Sequence, residues 1–125
     1  MAVTVINPRT GARSADVTVL ADTGTTLTFL PGPILDDLGI ERARSISLEF
    51  ADGRIAERHV GNALVAVDGD AVACRVVFGE PDDAALLGLT ALEQLGLAVD
   101  PVRRRLVPAT FLAYRLTTRG SGRSR

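Results

Sequence analysis

One aspartate stands apart from the other acidic residues. Asp22 opens an Asp22-Thr23-Gly24 triplet that follows directly on Val17-Thr18-Val19-Leu20-Ala21 and is followed by a second apolar run, Leu27 to Leu30. A carboxylate wedged between apolar runs is costly unless it is hydrogen-bonded or shares a proton. A carboxyl group in that condition is suited to acid–base work. Thr23 offers a hydroxyl that can tie the turn to a neighbour, and Gly24 is expected to let another backbone approach closely. A turn aspartate capping its own backbone is the plainer reading of the same three residues.

Other residues with chemical potential lack partners in the sequence. His59 is the only histidine and falls in an alternating, strand-like stretch, with no Ser or Cys nucleophile paired to it. Cys74 is the only cysteine, so no internal disulfide can form; its mid-strand position reads as a small buried filler. Asp36-Asp37 and Asp82-Asp83 are neighbouring acids with no His or Cys nearby to complete a metal site, and are expected to be solvated. Asp68 and Asp70 flank a turn glycine. Arg103-Arg104-Arg105 reads as an exposed turn or a subunit edge.

Many short strands must position the triplet. Val3 to Ile6 is β-branched and closed by Asn7-Pro8, and Ala15 to Leu20 alternates as a half-buried strand leading to Asp22. Thr25 to Leu30 forms another strand, broken by Pro31-Gly32-Pro33. Ile34 to Leu38 has helical spacing, with Gly39 as its stop. Ser45 to Phe50 alternates and meets Asp52-Gly53, a strong hairpin signal, with Ile55 to Val60 as the return strand. Ala63 to Val67 and Ala71 to Phe78 predict a second hairpin through Asp68-Gly69-Asp70. Thr90, with Glu93 three residues on, predicts a capping box for a helix ending at Gly96. Leu97 to Val99 and Leu106-Val107 close the pattern. The class expected is mostly β, a small closed barrel with one or two short helices.

Composition narrows the function. The chain has 125 residues, 46% of them apolar, which suits one domain with a real core. The expected division is a folded domain over residues 1–114 and a basic, disordered tail over 115–125. Formal net charge is -1, and all 14 basic residues are arginine. Only the tail is basic and it carries little aromatic character, which argues against nucleic-acid binding. No run approaches the roughly 20 apolar residues of a membrane span, and no signal peptide is evident, so a cytoplasmic protein is expected.

Taken in order, these segments resemble the retroviral-type aspartic proteases, in particular single-domain bacterial proteins of that clan. Ala21-Asp22-Thr23-Gly24 is similar to the catalytic loop and Leu27 to Pro31 to the strand after it. Ala51-Asp52-Gly53-Arg54 falls where the family has its flap. Leu86-Leu87-Gly88-Leu89 with the helix after it is similar to the segment crossing behind the catalytic loop, and Val99 to Pro108 to the closing strands. The likeness runs from about Val3 to Pro108. It departs at Thr25, where the family usually has Ala or Ser, and at the hairpin tip, which lacks a glycine-rich stretch.

The resemblance implies an endopeptidase without metal or cofactor. Asp22 would be catalytic, Thr23 and Gly24 would support its loop, Ala51 to Arg54 would form the flap over an extended peptide, and Gly88 would permit close packing behind the loop. One chain has one such aspartate, so a homodimer would supply the second. The rival expectation is a non-catalytic peptide-binding or dimerisation module on the same fold. Asp22-Thr23-Gly24-Thr25-Thr26 also fits the phosphate-loop pattern of actin-like sugar kinases and ATPases, but those are several times longer and their other nucleotide segments are missing here.

Overall fold

The structure is a computed structural model and describes residues 1–103 and 105–109. The expected tail, the domain limit at 114 and Arg104 lie outside the described residues. Among the described residues, ten strands and two short helices follow in order: β1 (Ala2–Ile6), β2 (Val17–Thr18), β3 (Leu20–Ala21), β4 (Thr28–Pro31), α1 (Gly32–Asp37), β5 (Arg44–Glu49), β6 (Ile55–Val67), β7 (Asp70–Gly79), β8 (Leu86–Leu87), α2 (Leu89–Gln94), β9 (Leu97–Asp100) and β10 (Arg105–Pro108).

The mostly-β class is as expected, but the barrel is not closed. The ladders run β2-β1-β6-β7-β4-β8-β3, with β5 branching from β6. The two ends of that path are consecutive pieces of one segment. Val17–Thr18 pairs antiparallel with β1 and Leu20–Ala21 pairs parallel with β8, so Val19 is where the segment changes partner. No ladder joins the two ends, because a single continuous strand cannot pair with itself. The β9–β10 hairpin forms a separate two-stranded sheet.

Two further expectations give way. The stretches Ile55–Val60 and Ala63–Val67 are one 13-residue strand, not two. Gly61, which reads as a break, is the point where the chain at residues 40–41 crosses over β6. A Cβ there would meet Ile40 at 3.0 Å and Phe78 at 3.1 Å, and would collide with the Glu41 carbonyl. The second concerns α2, which begins at Leu89 with Gly88 as N-cap and no side-chain cap. Its first amides are already taken, Leu89 N–H by the Thr25 carbonyl (2.7 Å) and Thr90 N–H by that of Thr26 (3.3 Å). The same bonds hold Thr25 and Thr26 out of β4, which starts only at Thr28.

The turns follow their residues. Asp68 (φ 50°) and Gly69 (φ 84°) make the two-residue connection between β6 and β7, the left-handed pair that matches strand twist. The main core lies between the sheet and the helices, with Val5, Leu30, Leu35, Val65, Val76, Phe78, Leu87 and Leu92 buried together. A smaller cluster of Phe29, Val60 and Val77 sits under Leu27, Ile46, Leu48, Phe50 and Leu86.

Candidate functional site

The smaller cluster floors a cleft. Beyond the Val60–Val77 pair, β6 loses β7 and continues with β5 alone, so Arg44–Glu49 and Ile55–His59 project as a two-stranded arm. Inward-facing Ile46, Leu48 and Phe50 turn it over Phe29. Between arm and body lies a cavity of about 710 Å³, lined among others by Asp22, Gly24, Thr25, Leu27, Phe29, Leu48, Phe50, Ala51, Arg54, Asp83 and Leu86. Such a volume accommodates a ligand of small-molecule or short-peptide size.

Asp22 reaches this cleft from the end of β3. Its amide donates to the Leu87 carbonyl (2.9 Å), which continues the β3–β8 pairing by one residue. Its Oδ1 accepts the Gly24 amide at 2.8 Å in an exposed bond, and the residue as a whole is half-buried. The expected role of Gly24 changes accordingly. The atom nearest a Cβ there would be Asp22 Oδ1 at 3.1 Å, not another backbone. Thr23 is exposed, and its hydroxyl has no partner among the described residues. The Thr25 hydroxyl donates to the Leu27 carbonyl at 3.3 Å, inside the loop.

Gly88 stands behind that loop. A Cβ there would collide with the Leu27 carbonyl and lie 2.7 Å from the Thr26 oxygen. Its amide donates to the buried Thr28 hydroxyl at 3.0 Å. The segment Gly88-Leu89-Thr90 therefore grips loop 25–28 through three amides in a row, and the aspartate's loop is anchored to α2.

At the arm's tip, Phe50 and Arg54 close a loop whose turn glycine is Gly53 (φ 86°), with Gly53 N–H on the Phe50 carbonyl. Asp52 accepts the Arg54 amide and faces its guanidinium at 3.7 Å. Of the tip residues, Ala51 and Arg54 line the cleft with Asp22 and Gly24, whereas Asp52 and Gly53 do not, nor does Thr23 of the Asp22 loop.

One pair was missed in the sequence. Arg58 and Asp83 form a two-point ion pair, Nε to Oδ2 at 2.7 Å and a terminal nitrogen to Oδ1 at 3.0 Å. Their side chains are only 11% and 4% exposed, so the expectation of a solvated Asp83 is corrected. The guanidinium holds the Asp83 carboxyl below the ordinary carboxylate range, against the opposing effect of burial. Asp36 is likewise paired, with Arg42 at 2.9 Å on the surface. Alternate spacing gave no signal for Arg58–Asp83, because the partners are 25 residues apart.

His59 is exposed on the arm, and burial pushes the Cys74 thiol up to about 11. No cluster of potential metal ligands occurs among the described residues, and no helix there is long and apolar enough to cross a membrane.

No family model matches the chain, and no curated protein does. Solved structures do. The EIAV protease complexed with the inhibitor HBY-793 is 20% identical with a TM-score of 0.54, over 77% of this chain and 86% of that one. The simian foamy virus (mac) protease is 20% identical with a TM-score of 0.51, over 76% and 94%. The retroviral protease-like domain of Ddi1 from Leishmania major is 14% identical with a TM-score of 0.51, over 88% of each chain. The chain thus has the fold of the retroviral proteases.

Proposed function

We propose that the chain is an aspartic endopeptidase that works as a homodimer, each copy giving one Asp22 to a shared pair of carboxylates. The observation that carries this reading is the single cleft into which the Asp22 loop and the tip of the β5–β6 arm both open, on a retroviral-protease fold.

The chemistry needs two carboxylates that share a proton. The cleft also contains Asp83, but the Arg58 fork keeps that group ionised and occupied. It is unsuited to give up or receive a proton near neutral pH, which favours a second Asp22 from another copy. Two carboxylates about 3 Å apart titrate as a pair, one protonated and one not. The ionised Asp22 would take a proton from water held between the two, and the resulting hydroxide would add to the scissile carbonyl. The protonated Asp22 would donate to the carbonyl oxygen as the tetrahedral intermediate forms. Proton transfer to the leaving amine then breaks the C–N bond. The Thr23 hydroxyl, exposed beside Asp22 and without a partner among the described residues, would be available to a second chain.

The substrate would be an extended peptide under the arm, which would act as a flap with Ala51 to Arg54 at its tip. Leu27, Phe29, Leu48, Phe50 and Leu86 offer it an apolar wall.

A diverse peptide pool incubated from about pH 3 to pH 8 tests the reading, that range bracketing the carboxylate titrations. Wild-type cuts that vanish in Asp22→Asn are the expected result. Cuts that persist in the variant would rule out the aspartate mechanism. No cuts from either protein, with dimer present, would leave a peptide-binding or dimerisation module.

A further inference from the structure

The arm that roofs the cleft is poorly supported by its own pairing. An isolated two-stranded ribbon is marginal in water, and past Val60 the arm has only β5 and β6. Something must hold it to the body. Apolar contact supplies part: the Phe50 ring meets Phe29 edge-on with centroids 6.3 Å apart. The other tie is polar and specific. Arg58 lies on the arm's inner face opposite Ile46, and its fork grips Asp83 in the loop between β7 and β8.

Asp83 is itself fixed. Its Oδ2 also accepts the Glu80 amide at 2.8 Å, while its own amide donates to the Glu80 carbonyl at 2.9 Å. The remaining terminal nitrogen of Arg58 donates to the Glu57 carbonyl at 2.9 Å. The guanidinium also lies 5.3 Å from the centroid of Phe50, within cation–π range. Arg58 does not line the cleft, whereas Phe50 and Asp83, the two groups it holds, both do.

We propose that Arg58 is a positioning residue of the cleft: through Asp83 and Phe50 it latches the arm to the loop at residues 80–83 and so sets the shape of the apolar subsite that Phe50 and Phe29 line together. The activity half of this inference rests on the protease reading; the latch itself does not. Planar two-point contact is what a lysine could not reproduce, so the geometry of the fork and not only its charge is required.

Amide hydrogen exchange on the whole chain tests the latch without any substrate. Arg58→Gln, Arg58→Lys and Asp83→Asn should each speed exchange of the Phe50 and Gly53 amides by about tenfold or more, while amides of the β1–β6–β7 ladder keep their protection. An equal change at all sites, or none at the tip, overturns the proposal. The neutral pair Arg58→Gln with Asp83→Asn leaves no unpaired charge and serves if a single variant does not fold; it should show the same local loosening. On a peptide that the wild type cleaves, Arg58→Lys should raise KM by about tenfold and leave kcat within about twofold, since binding geometry is lost and the reacting groups are not. An unchanged KM in a protein that does cleave overturns the subsite role. A wild type that cleaves no peptide overturns the protease reading instead, and the exchange pattern alone then decides the latch.

Discussion

Thr28 holds more of the site than its size suggests. Its hydroxyl is the acceptor for the Gly88 amide, both are buried, and the bond joins the strand after the Asp22 loop to the residue before α2. Thr28→Val keeps the shape and removes the acceptor, which leaves a buried N–H unpaired. A loss of about 1–3 kcal/mol is expected, read as a lower urea midpoint with unchanged slope, and Thr28→Ser should recover most of it. Gly88→Ala should be no milder, because the new methyl meets the backbone carbonyls of Leu27 and Thr26, the first held by the Thr25 hydroxyl and the second by the Thr90 amide of α2. The lone thiol makes the opposite case, a reactive group rendered inert. With its pKa raised by burial from 9.0 to about 11, Cys74 holds roughly a hundredfold less thiolate at pH 8 than an ordinary cysteine. Labelling by iodoacetamide should be slow in the folded protein and rapid in urea.

Among the elements, the projecting arm depends most on charge. The sign of its pH dependence follows from Asp83. A carboxyl whose pKa is lowered on folding adds stability that is fully present above its ordinary value of 3.8 and is lost as pH falls through the lowered value. Asp83→Asn also leaves Arg58 buried without its partner, a change that costs about 3 kcal/mol or more in comparable sites. Urea melts should therefore separate the two proteins widely at neutral pH, with the gap narrowing as pH falls below 3.8 and closing once pH passes the lowered value, where the wild type loses the same charge. A gap that stays constant with pH would mean that the pair contributes through packing alone. The arm also marks where sequence reading reached its limit. Its turn, its inward apolar residues and most strands of the sheet follow from alternation and turn chemistry, which are local. Asp22 and the arm's tip were legible as separate motifs for the same reason. What local pattern could not supply was pairing across distance: the Arg58–Asp83 tie, the partner exchange at Val19 that leaves the barrel open, and the carbonyls of Thr25 and Thr26 that replace a capping box at Thr90.

For the whole molecule the decisive quantity is the number of chains in the active unit. On the proposed reading, a site with one Asp22 per chain takes its second catalytic carboxylate from another copy, and activity should then depend on the partner's residue as well as its own. Leu20, 65% exposed two residues before Asp22, and Val102, 88% exposed in the β9–β10 turn, are large apolar side chains on the free chain that association could cover. Mixing distinguishes the cases better than sizing does. Take a fixed amount of wild type, at a concentration where it is dimeric, and add Asp22→Asn chains. A single-chain enzyme is indifferent to the addition. In a dimer that exchanges partners freely, an equal amount of variant leaves only about half of the wild-type chains paired with wild type, and a ninefold excess leaves about a tenth. Cleavage should fall along that curve, provided the two proteins are co-incubated long enough to exchange. Loss of activity on simple dilution, reversed by adding wild type and not by adding the variant, would make the same point from the other direction. An activity that ignores both dilution and variant would place the second proton-bearing group within one chain, and Asp82, an exposed acid that also lines the cleft, would be the residue to replace next.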